Sequence, residues 1–394
     1  MKRLFPILSF LFVFSCEDKE EKEVITFLKT YGGSGYDIGY SVQQITDGGY
    51  ILAGRKDPSG IRGSNLWLIK TDTEGNEIWN KQFGGSGYEW AQSVQQTTDG
   101  GYIITGLTTS FGNGRGDIWL IKTDSDGMEE WNKTFGGNSP EIGYSVQQTT
   151  DGGYIITGNT SSFGSGLIDI WLIKTDSQGI EEWNKSFGGK DMDQSKAVLQ
   201  TRDGGYIILG ETELAGNYGR DYWLIKTDSE GNKVWSQTFD KNELDIGRDI
   251  KQSFDDGFII VGETWSFENG RWNVWLIKTN SIGNMEWNQI YDLGGYEHSS
   301  SVLSASDGGY IVTGIFSSFG NGNNSDILLI KTDSDGNMVW DQTFGGSSSD
   351  EGNSVQQTND GGYIVIGSTN SFGQGGQDFI LIKTDSEGNT VPYK

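Results

Sequence analysis

Residues 92–108 read Gln92-Ser93-Val94-Gln95-Gln96-Thr97-Thr98-Asp99-Gly100-Gly101-Tyr102-Ile103-Ile104-Thr105-Gly106-Leu107-Thr108, two strand-forming runs on either side of a turn tripeptide. The glycines after Asp99 supply the positive φ that a tight hairpin turn requires. The same tripeptide, or Asp-Asp-Gly in one case, begins at Asp47, Asp99, Asp151, Asp203, Asp255, Asp307 and Asp360. Five spacings of 52 residues and one of 53 make seven copies of one unit.

Each copy reads as four short strands, a to d. In the second they are Gln92 to Thr98, Tyr102 to Thr108, Ile118 to Thr123 and Glu129 to Phe135. The a–b turn (Asp99-Gly100-Gly101) and the c–d turn (Asp124-Ser125-Asp126-Gly127) are tight and share one face. The longer b–c and d–a connections then share the other. Four-stranded antiparallel units repeating at about 50 residues suit a β-propeller, whose radial packing leaves only short protected edges; a solenoid is the alternative. The two ends of the repeat separate them. After the seventh strand c, Phe379 to Thr384, Pro392 falls where other copies carry Trp287 or Trp340, so a d strand is missing. Ile25-Thr26-Phe27-Leu28-Lys29-Thr30-Tyr31-Gly32-Gly33 aligns with the d strand Glu77-Ile78-Trp79-Asn80-Lys81-Gln82-Phe83-Gly84-Gly85 and supplies it. A solenoid has no use for such a strand, whereas it closes a ring. The expectation is an all-β, seven-bladed β-propeller with four antiparallel strands per blade, closed by an N-terminal strand completing the last blade.

Composition agrees: 60 Gly, 14 Trp, 16 Tyr and 19 Phe against 4 Pro describe many turns and a core built from large rings. Eleven of the tryptophans fall on two strand positions, Trp67, Trp119, Trp171, Trp223 and Trp275 in strand c and Trp79, Trp131, Trp183, Trp235, Trp287 and Trp340 in strand d, where Phe27 is the seventh ring. The pattern Leu-Ile-Lys-Thr-Asp, then Gly-Asn and Trp, as in Leu68 to Trp79, resembles the tryptophan-docking repeat of quinoprotein-like propellers. That resemblance implies the fold but not the enzyme: such dehydrogenases usually have eight blades, a calcium-bound quinone and often a vicinal disulfide, and this chain has one cysteine. Asp335-Gly336-Asn337-Met338-Val339-Trp340 looks like part of a bulb-type lectin strand, but Asp341 stands where that motif has Tyr, so its mannose site does not transfer.

At the N-terminus a basic start (Lys2, Arg3) precedes an apolar run, Leu4 to Phe14, too short to span a bilayer. Val13-Phe14-Ser15-Cys16 resembles a loose bacterial lipobox, which implies cleavage before Cys16 and lipidation of that residue. Glu17 to Glu23 is charged and unable to pack, a solvated tether, and Lys19-Glu20-Glu21 resembles the surface-export signal of Bacteroidetes-like lipoproteins. The expected organisation is a signal peptide at 1–15, lipidated Cys16 and tether at 16–23, and the propeller at 24–394. The expected location is the bacterial outer membrane or cell surface, with membrane contact only through the lipid.

A net charge of −25 repels phosphate backbones and anionic headgroups, which argues against nucleic acid as a partner. One histidine, no thiol beyond Cys16, no HExxH and no nucleophile elbow leave the usual catalytic signatures absent. An acidic residue recurs in every d–a connection (Asp37, Glu89, Glu141, Asp193, Asp245, Glu297, Asp350), and a second polar set precedes strand c (Asn65, Asp117, Asp169, Asp221, Asn273, Asp326, Asp378). These oxygens could hold calcium or bond to loop N–H groups; the second reading is favoured, because turn chemistry obeys repeat symmetry and a site usually breaks it. No other cofactor is expected. Trp90, Trp265 and Trp272 break the pattern, and Trp272 lies in the b–c connection of blade five beside Tyr296-Glu297-His298. Trp265, Arg271, Trp272, Tyr296, Glu297 and His298 are therefore the candidate ligand-binding residues, as rings beside carboxylates suit sugar stacking or a protein hot spot. The expected function is non-enzymatic binding of a glycan or a protein. The rival is a polysaccharide-active glycoside hydrolase using paired carboxylates on the longer-loop face.

Overall fold

In the computed structural model residues 25–57, 63–213, 219–241, 244–266, 268, 270–318 and 324–391 are described. The predicted signal peptide, Cys16, the tether and Pro392 lie outside them. The described chain forms seven four-stranded antiparallel sheets, six of them built from consecutive strands a to d. In the seventh, Phe27–Tyr31 pairs antiparallel with the last strand c, Asp378–Thr384, in register from Phe27↔Lys383 to Tyr31↔Phe379. The fold is thus an all-β seven-bladed propeller with the N-terminal strand completing the last blade, although this strand begins at Phe27 and not at Ile25.

The repeated residues do three jobs. Within a blade, the lysine of strand c reaches back to the a–b turn. Lys122 is almost fully buried and its Nζ lies 2.9 Å from Asp99 Oδ2. All seven blades make this pair. The strand c indole donates to the strand d asparagine, as in Trp119 Nε1 to Asn132 Oδ1 at 3.2 Å, so a buried ring keeps its polar atom satisfied. Between blades, the strand d ring lies against its neighbour. Trp79 meets Tyr102 edge-on at 6.0 Å, and Phe27 meets Tyr50 in the same way at 6.1 Å. The indole of Trp79 also covers Gly127 in the next blade's c–d turn, where φ is +72° and a Cβ would come within 2.7 Å of the ring. That glycine satisfies a turn and a close approach together.

Strands b and c carry the core: Tyr102–Thr108 and Asp117–Thr123 are buried along their whole length, because sheets cover both their faces. Strand d is outermost and mixes exposed and half-buried positions, with only its closing Phe135 buried in blade two. Strand a faces the axis. In blade two it spans Glu89–Gln96, three residues earlier than its sequence suggests, because Glu89 already pairs with Thr108.

Candidate functional site

Every strand a carries one β-bulge, which re-aims a single side chain. The bulged residues are Tyr40, Gln92, Tyr144, Lys196, Arg248, Ser300 and Asn353. All seven line an axial channel of about 900 Å³. Below them, where strand a has no partner strand on its axial side, glutamines bridge the blades: Gln43 Oε1 accepts from Gln96 N, Gln95 from Gln148 N and Gln147 from Gln200 N, at 2.5, 2.7 and 2.6 Å.

This order breaks in blades four to six. Leu199, Lys251 and Leu303 replace the bridging glutamine, and Ala197 and Asp249 replace the serine found at Ser41, Ser93 and Ser145. The bulge positions of blades four and five become Lys196 and Arg248. Behind them, Glu211 and Glu263 in strand b are 2 % and 1 % exposed. Lys196 Nζ sits 3.1 Å and Arg220 Nη1 3.5 Å from Glu211. The Arg248 guanidinium grips Glu263 Oε1 through Nε and Nη2, and His298 Nδ1 is 3.5 Å from the same oxygen. Burial pushes the Glu263 carboxyl up, but Arg248 and His298 outweigh it and hold the group below its ordinary range. Burial lowers Lys196, opposed by Glu211. Buried ion pairs contribute little net stability once desolvation is counted, and the other blades close without one at the bulge column. Their concentration in one sector is not a requirement of the fold.

The predicted cluster adjoins this sector. His298 lines the channel, the Trp272 ring lies 5.9 Å from the His298 ring, and Trp265 meets Trp272 edge-on at 5.4 Å. These residues stand on strand ends and not in loops. Trp265 closes strand b (Phe258–Ser266), Arg271 and Trp272 open strand c (Arg271–Thr279) as register partners of Ser266 and Trp265, and Tyr296, Glu297 and His298 open strand a (Tyr296–Ser304). Trp265, Arg271, Trp272, Tyr296 and His298 are half-buried, so the rings expected to be exposed are partly packed. Glu297 is fully buried and accepts Gly295 N at 2.8 Å; burial raises its carboxyl. Trp90 belongs to strand a of blade two, away from the cluster.

The two acidic sets also lie at strand ends and mostly bind their own loops. Glu141 accepts from Gly137 N, Thr160 Oγ1 and Ser162 N, all at 2.9–3.0 Å, and Glu89 and Asp350 accept from the matching groups in their blades. Asp169 accepts from Ser165 N and Gly166 N at 3.0 Å. The loop-bonding reading describes the oxygens named here, while Asp117 Oδ1 and Asp169 Oδ1 are buried and accept no hydrogen bond. Among the described residues, a group suited to a hard cation is Asp221, Asp240 and Asp245, with oxygens within 4.8 Å of one another. Burial, then Asp240 and Asp245, push the Asp221 carboxyl up to about 6.

The sequence reading missed Lys196, Glu211, Arg248, Asp249 and Glu263. The signal was present. Aligned at the 52-residue period, the bulge column reads Tyr, Gln, Tyr, Lys, Arg, Ser, Asn, but nothing in sequence says that this column meets the axis.

No family model matches the chain. It is 26% identical over 207 residues to the regulatory protein FlaEY of Caulobacter vibrioides, a match covering 45% of this chain and 21% of that protein, about a fifth of its length. Among solved structures, puromycin hydrolase superposes with a TM-score of 0.55 at 11% identity, covering 86% of this chain and 51% of that one. YCF48 bound to D1 peptide gives 0.51 at 9% identity, covering 92% and 95%, and a protein of unknown function from Dyadobacter fermentans gives 0.51 at 10%, covering 90% and 98%. At such identities these likenesses concern architecture alone: the chain is an all-β seven-bladed propeller.

Proposed function

We propose that the chain is a non-enzymatic binding module, displayed on the bacterial surface by a lipidated Cys16, that takes a glycan at the axial channel in the sector of blades four to six. The observation that carries this reading is the break in symmetry: a ring of otherwise uncharged bulge residues becomes Lys196 and Arg248 where the His298–Trp272–Trp265 stack reaches the channel. A concave site of this volume, with aromatic rings and a few placed polar groups, is the usual form of a small-ligand site. Ser299, Ser300, Gln92 and Asn353 offer the donors and acceptors that sugar hydroxyls need.

Binding is favoured over hydrolysis by the state of the carboxyls at the channel wall. A glycosidase needs one acid raised and free to give a proton, whereas Glu263 is depressed by Arg248 and Glu211 is tied to Lys196. Asp249, the carboxylate that lines the channel, is held 2.7 Å from Lys251 Nζ.

A glycan array probed with the chain from residue 24 onward tests the reading. Trp272→Ala with Tyr296→Ala should weaken binding by about 2 kcal/mol or more, as truncated interface anchors do. The pair Tyr36→Ala and Tyr88→Ala, exposed residues of the regular blades, should not. Loss only in the second pair would move the site elsewhere, and release of reducing ends from a bound glycan would make the protein an enzyme.

A further inference from the structure

The chain has 54 acidic and 29 basic residues, yet its axial channel inverts that balance. Lys196, Arg248 and Lys251 line it, against one carboxylate among the described residues, Asp249. Asp249 is engaged by Lys251 and by Val302 N and Ser301 Oγ, at 2.7–3.1 Å. The counter-ions of Lys196 and Arg248, Glu211 and Glu263, are buried in strand b and do not line the channel, whereas both cations do. Arg248 spends Nε–H and one Nη2–H on Glu263, so three of its five N–H donors remain. Lys196 makes one contact with Glu211 and lies 5.5 Å over the Tyr144 ring. A field as negative as that of the whole protein repels anions. Only a local cationic wall lets one settle here.

We propose that the ligand is an anionic glycan whose carboxylate or sulfate ester sits between Lys196 and Arg248, with the attached sugar ring against Tyr144. The proposal rests on the glycan-binding reading and names its substrate class. A planar guanidinium matches both anions in fork geometry. Ser300 and Gln92, uncharged bulge residues of blades six and two, are left to the hydroxyls.

The test is titration of the full chain with oligogalacturonate, oligomannuronate and oligoglucuronate, each beside the same oligomer after reduction of its carboxyls to primary alcohols, and with a sulfated neutral oligomer. A charge-assisted bond in a partly desolvated site should make at least one acidic form roughly tenfold or more tighter than its reduced partner, and that advantage should shrink as salt rises. A uronate preference identifies the carboxylate, and binding confined to the sulfated oligomer identifies the ester. The double variant Arg248→Gln with Glu263→Gln removes the cation without stranding a buried carboxylate, and should abolish the preference while keeping the unfolding midpoint. Lys233→Gln with Glu230→Gln, exposed residues of an outer strand and the turn before it, removes the same pair of charges away from the channel and should leave the preference intact. Equal binding of acidic and reduced forms overturns the anionic class and leaves the binding module standing. Binding of none of these oligomers, nor of any glycan on the array, overturns both.

Discussion

Phe27→Ala is the sharpest test of ring closure. Phe27 is 6 % exposed and sits in one cluster with Tyr50, Trp67 and Phe379, which joins the first and last blades. Truncating a buried Phe to Ala costs about 3–5 kcal/mol, transfer and cavity together. A chain of this size unfolds with an entropy near 0.75 kcal/mol/K, at about 2.1 cal/mol/K per residue, so the lower figure lowers the midpoint by about 4 °C. Deleting residues 25–33 also removes Tyr31, whose hydroxyl donates to Gly75 O at 2.5 Å, and the five register pairs with strand 378–384. About 8 kcal/mol then goes, and the midpoint should fall by roughly 10 °C. Differential scanning calorimetry on the full chain, Phe27→Ala, the deletion and Ile25→Ala reads this directly; Ile25 is 41 % exposed and precedes the strand, which makes it the control. A synthetic peptide of residues 25–33 should restore part of the deletion's loss. If Phe27→Ala and Ile25→Ala share one midpoint and the peptide does nothing, this strand does not close the ring.

Gly127→Val places a branched side chain at φ +72° against the Trp79 ring; strain and overpacking together should cost about 2–4 kcal/mol, with red-shifted tryptophan emission as the packing opens. Asp221→Asn concerns pH. Because the folded carboxyl is raised to about 6, its contribution is complete below the unfolded value near 3.8 and is lost as pH rises through 6. The variant should therefore melt higher than the parent at pH 7.5 and match it at pH 3.5, and a midpoint gap that does not change with pH would refute the shift. Asn65 and Asn273 already occupy this position in other blades. Cys16→Ser, expressed with its leader, should move the protein from the membrane pellet to the soluble exported fraction; retention in the pellet would remove lipidation as the anchor.

Local chemistry wrote the fold into the sequence. Asp99-Gly100-Gly101 turns because Gly100 takes a φ of +85° and Gly101 has no Cβ to strike Thr123 O, Lys122 and Trp119 recur because each strand c must satisfy a buried polar atom, and a repeat at fixed spacing makes every copy legible from its neighbours. Phe27 could be matched to Trp79 for the same reason. The aromatic half of the candidate site could be singled out too, since Trp265 and Trp272 stand out as rings beyond the repeat, although their place on paired strand ends was not legible. Only the closed ring decided the rest. One bulge per blade turns a single column toward the axis, and closure brings Lys196 and Arg248, 52 residues apart, onto one wall with Glu211 and Glu263 behind them. Which side chains share a channel depends on the radial arrangement of seven sheets, and no local preference of any segment encodes that.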